Sequence, residues 1–321
     1  MDTTDRLRGA IWGQFVGDAA ALGSHWIYDL AEMAKEYPEG VNGFETPHKG
    51  HYHFGRKPGD QTHYGDGALV LLESLAKEGR FDAKAFGASF VQAFHPAIYK
   101  GYLDKATKGT LEHYEAFIRA RSPGDFDFQQ GADDDQLAGA SRLAALVVRY
   151  RKDPNLLSIV EMATRVCQNS PQTIAVMKFN ALLLIELFRG HNVGEALHRV
   201  EDLIEAIDPV YGVEARQKSR QAQAHLAADV VKATSTFGQG CPLPKSFPSA
   251  IHTLLKHSEN FEEAIVATLR AGGDSAGRGA LVGGWLGTHL GLEAIPKAWR
   301  SKLSQADRIG AAAEKVIADT R

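Results

Sequence analysis

Cysteine is nearly absent: Cys167 and Cys241 are the two in 321 residues, too few for a disulfide scaffold and too far apart for the paired spacing of a zinc knuckle. That usage points to a reducing cytoplasm. An excess of one charge sign is missing as well. Lys plus Arg number 36 against 39 Asp plus Glu, a net charge of -3, which argues against a nucleic-acid partner because wrapping a phosphate backbone needs a basic surplus. No uninterrupted apolar run reaches the roughly 18 residues of a membrane span. The first residues, Met1 to Arg6, open acidic rather than basic, and Gln14 and Asp18 interrupt the apolar stretch behind them, so no secretion signal is expected. Alternation of apolar and polar residues at strand period is scarce.

What is present is helical. Hydrophobic residues make up 44% and charged residues 23%, a balance that folds into a globule. Leu7, Ile11, Phe15 and Leu22 fall on one helical face and Phe86, Phe90 and Phe94 on another. Asp82 can cap a helix that Pro96 stops, and Ser170 one that opens with Pro171 and ends before Gly190. These signals predict an all-α chain of roughly ten to fourteen helices, given average helix and loop lengths. The 32 glycines are not scattered. Gly13 and Gly17 with Ala21 make one four-residue ladder, and Gly279, Gly283 and Gly287 make another. Small residues at this spacing form a flat ridge on which a second backbone can approach closely. Ladders at opposite ends of the chain therefore predict a single domain, residues 1–321, closed by its two ends.

Two long segments read as less helical, Tyr37 to Gly67 and Ser122 to Asp135, and connections of that length usually serve a site. The first carries Gly59-Asp60-Gln61-Thr62-His63-Tyr64-Gly65-Asp66-Gly67 just before an amphipathic run. With His48, His51 and His53 upstream, its imidazoles and carboxylates either bind a transition metal or line a polar site. The second ends in Asp133-Asp134-Asp135, which either caps a helix expected near Gln136 or supplies an acid, a base or a cation ligand. A third motif, Gly272-Gly273-Asp274-Ser275, feeds the second ladder. Asp274 there caps the helix or holds a cation, while the neighbouring amides can cradle an anion. Asp18, inside the first helix among Gly, Ala and Val, needs a partner if buried.

Gly13-Gln14-Phe15-Val16-Gly17-Asp18-Ala19-Ala20-Ala21 resembles the opening motif of the ADP-ribosylglycohydrolase family. The C-terminal block is similar too: Phe261-Glu262-Glu263-Ala264, Ala271-Gly272-Gly273-Asp274, the ladder, then Ile295-Pro296 and Trp299. His25-Trp26-Ile27-Tyr28-Asp29 and Phe247-Pro248-Ser249-Ala250-Ile251-His252 resemble the branch containing the jellyfish J1 crystallins. The resemblance implies an all-α orthogonal bundle with a cleft for an ADP-ribose-like small molecule. It also implies two Mg²⁺ ions held by a Thr-Asp-Asp-Thr motif and by Asp-Thr-Asp-Thr after Gly-Gly. In this sequence those positions correspond to Thr62, His63, Tyr64 and Gly65, and to Asp274, Ser275, Ala276 and Gly277. Of the usual carboxylates only Asp274 stands in place, leaving Asp274 and Thr62 as candidate Mg²⁺ ligands.

The expected function is hydrolysis of a glycosidic bond in an ADP-ribose-like or other ribosyl substrate, with an altered metal site. The alternatives are a ligand-binding protein that has lost catalysis and a crystallin-like structural protein. The candidate catalytic residues are Asp274, to orient water or a cation; His63, because imidazoles as a class titrate near neutrality; and Asp66. Thr62, Tyr64, Ser275, Arg278 and Asp18 are the candidate substrate-binding residues. Arg278 is placed to reach an anionic group of the ligand or to pair with Asp18 or Asp66.

Overall fold

Gly9, Gly13 and Gly17 on the helix Thr3–Ala21 meet Gly287, Gly283 and Gly279 on the helix Ser275–Leu290, pair by pair and in antiparallel order. At each pair, the space that a Cβ would fill is already taken by the opposing carbonyl oxygen. Both helices are buried along nearly their whole length, as the two ladders predict. The computed structural model describes residues 3–318 and places this pair at the centre of an all-α bundle.

In chain order the helices are α1 (Thr3–Ala21), α2 (Leu30–Glu36), α3 (His63–Glu78), α4 (Ala83–Ala93), α5 (Lys105–Ile118), α6 (Ala144–Tyr150), α7 (Leu156–Arg165) and α8 (Pro171–Phe188). They continue with α9 (Val193–Ile207), α10 (Tyr211–Ala224), α11 (Val230–Phe237), α12 (Leu243–Lys256), α13 (Phe261–Arg270), α14 (Ser275–Leu290), α15 (Lys297–Lys302) and α16 (Ala306–Ala318). Sixteen α-helices among the described residues exceed the ten to fourteen expected. The surplus lies in pieces such as α2, α6 and α15, which are too short to show two full periods of an apolar stripe. Among the described residues there are no strands, only isolated bridges from Ala132 to Gln168 and from Gln136 to Pro242. α8 is long and apolar enough by composition to cross a membrane, but it is 72% buried inside the bundle.

The two segments read as less helical are largely irregular, with two corrections. α3 begins at His63 rather than after Gly67, because Thr62 accepts from the Tyr64 amide and starts the helix early. No α-helix starts near Gln136. There Asp134 folds the chain back by accepting from the Gln136 amide at 3.0 Å, and Gln136 pairs with Pro242, so a regular α-helix resumes only at Ala144. At the N-terminus of α4 the Asp82 carboxylate accepts from the amides of Lys84 and Ala85, both at 3.0 Å. Ser170 precedes Pro171 as expected, yet its hydroxyl turns to the Gln172 side chain and caps nothing. Asp82→Ala should therefore cost about 1 kcal/mol of stability, and Ser170→Ala less than half of that. Denaturant titration of both variants checks the difference, and equal losses would contradict the capping assignment.

Candidate functional site

The turn between α13 and α14 sets one wall of the site. Gly272 and Gly273 adopt φ of +70° and +64°, a region that an L side chain enters only at a cost. This lets the Gly273 amide donate to the Ile27 carbonyl at 2.8 Å and its carbonyl accept from the Trp26 amide at 2.7 Å. Trp26 is itself held at φ +65°, a strained backbone for a bulky residue. The clamp seats the His25–Ile27 loop against the start of α14. Its indole N–H points to the Cys241 sulfur at 3.1 Å.

The opposite wall is the start of α3. Asp18, fully buried in α1, accepts from the Thr62 amide at 2.7 Å and from the Thr62 hydroxyl at 2.5 Å. Gln61, with its amide nitrogen turned inward, donates to Asp18 at 2.9 Å and to the Phe15 carbonyl at 3.2 Å. Burial pushes the Asp18 carboxyl up to about 6, although the Thr62 bonds act against this. Gly65 sits inside α3 because a Cβ there would strike Gln61 and Asp18. Asp18 thus ties α1 to α3 and presents His63 and Tyr64 to the centre.

Between the walls lies a cluster of rings. His25, His53 and His63 have centroids 5.6 to 6.0 Å apart, and Tyr64 lies 4.0 Å from His63. Trp26 lies over all three imidazoles at 4.1 to 5.9 Å, with Tyr52 and Tyr102 edge-on at 5.1 and 4.7 Å. Tyr52 is exposed, so an aromatic row runs from solvent to the buried imidazoles. His25 and His53 are held neutral. Burial, then the neighbouring imidazoles, pushes His25 well below its usual range and His53 down to about 2.

Two buried carboxylates flank the cluster in opposite electrostatic states. Asp104, the N-cap of α5, faces His63 Nε2 at 3.5 Å and accepts from the Thr107 amide at 2.7 Å. Burial raises its pKa, but His63 and Thr107 outweigh burial and hold it near 2. Asp274 faces His25 Nδ1 at 3.8 Å, and neither of its oxygens has a hydrogen-bond partner. Burial pushes its carboxyl up, with Arg278 and His63 only partly opposing it. The Tyr64 and Ser275 hydroxyls are also buried without partners. A buried polar atom without a partner is costly, and so many in one place mark a site shaped for something polar.

Of the residues singled out in the sequence, His63, Tyr64 and Asp274 come together here, and Ser275 follows at the start of α14. Thr62 and Asp18 stand behind His63, bonded to each other. Asp66 turns away to an ion pair with Arg56 at 2.6 Å and a bond from the Tyr99 hydroxyl at 2.7 Å. Arg278 is buried and donates to the carbonyls of Gly272 and Gln239, pinning the glycine turn; its partner is neither Asp18 nor Asp66. His51 buttresses the cluster, with Nε2 2.6 Å from the His25 carbonyl and Nδ1 accepting from the His53 amide. His48 lies apart, near Glu36. Asp134 accepts from Gln136 and Gln168 beside a separate cavity of about 370 Å³.

The sequence matches the profile of the ADP-ribosylglycohydrolase family over residues 1–321. The chain belongs to that family. Among curated relatives, Crystallin J1A of Tripedalia cystophora is 27% identical over 97% of this chain and 96% of its own length. Crystallin J1B of the same animal is 25% identical over 98% and 96%. A solved structure titled "ADP-ribosylglycohydrolase-related protein complex" superposes with a TM-score of 0.71 at 23% identity, covering 99% of both chains, and shares the fold.

The Mg²⁺ pair that the family resemblance implies does not suit these donors. Mg²⁺ takes oxygen ligands in near-octahedral array. Here the Thr62 oxygen is committed to Asp18, His63 offers nitrogen and Ala276 offers nothing, so Asp274, beside the unpartnered hydroxyls of Tyr64 and Ser275, is the one carboxylate of the family's set that remains. The three imidazoles are instead a group that could hold a metal of other character.

Proposed function

We propose that this protein hydrolyses a glycosidic bond of an ADP-ribose-like or other ribosyl substrate with its own carboxylates and imidazole. The observation that carries the reading is the pair of buried carboxyls pushed in opposite directions, Asp104 down and Asp274 up. A split of this kind separates an acid from a base within one pocket. Asp274, whose carboxyl burial pushes up, is the group that donates a proton to the departing group as the glycosidic bond breaks. His63, backed by the ionised Asp104, takes a proton from the attacking water. The sugar carbon passes through an oxocarbenium-like state, which the ionised Asp104 and Asp274, once it has given up its proton, stabilise. Trp26, Tyr52 and Tyr102 offer flat faces to a base or sugar at the mouth.

A crystallin-like structural role has the named relatives in its favour. Bulk packing, however, needs no cluster of unpartnered buried polar atoms. ADP-ribosylated arginine, ADP-ribosylated serine, O-acetyl-ADP-ribose and simple nucleosides should be assayed with wild type, Asp274→Asn and Asp104→Asn. One of them is expected to be cleaved, with rates reduced on the order of 10²-fold or more in each variant, the usual contribution of a general acid or base. Equal cleavage by wild type and Asp274→Asn would reduce Asp274 to a helix terminus. Binding without cleavage would make the protein a receptor.

A further inference from the structure

Five nitrogens of three imidazoles share one buried space without a hydrogen-bond partner: Nε2 of His25 and both ring nitrogens of His53 and His63. All three residues are at most 3% exposed. One ligand atom from each ring lies within 4.8 Å of the others. A neutral imidazole has one N–H and one lone pair, and three convergent lone pairs are a donor set that suits borderline divalent cations rather than hard ones. Behind two of the rings stands a carboxylate on the other nitrogen: Asp274 at 3.8 Å from His25 Nδ1 and Asp104 at 3.5 Å from His63 Nε2. Metal-ligating histidines typically carry such a partner, which fixes the tautomer and strengthens the ligand.

We propose that His25 Nε2, His63 Nδ1 and one nitrogen of His53 form a site for a first-row divalent cation of the zinc class, in place of the family's oxygen-bound ions. Three protein ligands leave a fourth position open to a small ligand. In the metal-free structure the Ala276 amide donates to His25 Nδ1 at 3.3 Å, which leaves the proton on Nε2; metal binding there requires that proton to move to Nδ1, on the side of Asp274, and this bond to break. The inference uses the pocket of the proposed reaction and competes with it for the lone pair of His63 Nδ1, so hydrolysis is assayed on chelator-treated protein and either can fail alone.

Chelator-treated full-length protein should be dialysed separately against Zn²⁺, Co²⁺ and Mg²⁺, with bound metal counted by elemental analysis. The expected result is one equivalent of Zn²⁺ or Co²⁺, no Mg²⁺, and a visible Co²⁺ spectrum of tetrahedral character. His53→Ala should lose the metal, His48→Ala should keep it, and Asp104→Asn should bind roughly 10–100-fold more weakly. Circular dichroism reports whether each variant folds. If His53→Ala does not fold, the Co²⁺ spectrum of wild type and the ¹⁵N shifts of its imidazoles decide instead. Failure of wild type to bind Zn²⁺ or Co²⁺ at micromolar concentration overturns the inference, as does undiminished binding by folded His53→Ala. Metal bound on loading, together with no hydrolysis by the chelator-treated protein, sinks the proposed reaction and supports the site, whereas hydrolysis by chelator-treated protein that takes up neither ion does the reverse.

Discussion

Gly283→Ala will destabilise the protein severely, whereas Gly284→Ala, one residue on, will leave it as stable as wild type or more so. A methyl on Gly283 runs into the carbonyl of Gly13, while one on Gly284 comes to rest 3.7 Å from the nearest atom, in ordinary contact. Backbone cannot rotate aside as a side chain does. α1 and α14 must therefore separate, and with them the Gly9–Gly287 and Gly17–Gly279 contacts. Overpacking a tight core commonly costs about 1–3 kcal/mol; against backbone on both sides the upper end or beyond is expected. At Gly284 the change removes about 1 kcal/mol of helix penalty. Thermal and denaturant unfolding of the two variants give opposite signs if the ridge is as described. Equal, small effects would show that the two helices can slide apart at little cost.

The second large effect is expected from Asp18→Ala. The Thr62 amide and hydroxyl both donate to this carboxylate, and its removal strands two buried donors, each worth about 1–3 kcal/mol when unpaired. A loss on the order of 2–4 kcal/mol should follow, together with displacement of His63 and Tyr64 at the start of α3. Asp18→Asn adds a pH test. The folded carboxyl titrates near 6 against a usual 3.8, so its protonation favours the folded state: that contribution is complete below 3.8 and is lost as pH rises through 6. The stability of wild type relative to Asp18→Asn should therefore grow as pH falls from 7 to 4. A flat difference would mean that Asp18 titrates normally, in contact with water.

The ladders of α1 and α14 were readable in the sequence because glycine at four-residue spacing has few other uses in a buried helix. Half of the site was readable for a similar reason: His63, Tyr64 and Asp274 lie in glycine-rich turns at helix starts. The other half came from residues whose local signals were ordinary. Asp104 reads as one helix cap among several, and only the approach of α5 to α3 sets it against His63. His25 and Trp26 belong to a stretch that marks the J1-crystallin branch but carries no local sign of a site role, and their position depends on the Gly272–Gly273 clamp about 250 residues away in sequence, a long-range pairing of the kind that local periodicity does not encode. The histidine-rich segment drew notice as a group, but adding up imidazoles does not say which ones converge. His53 does; His51 supports it through the backbone, and His48 stays outside. Arg278 looked like a hand for an anion and instead holds the turn, since only burial reveals whether a guanidinium has carbonyls to satisfy it.

The meeting of the two glycine ridges also governs how the protein is born. α1 leaves the ribosome long before α14, with a face of bare backbone and small side chains that has little to collapse upon until its counterpart arrives. About 260 residues separate Gly17 from Gly279, so at ~5–20 residues per second roughly 13 to 52 seconds pass before the partner helix is even made. Throughout that wait the nascent chain has α1 and lacks its centre.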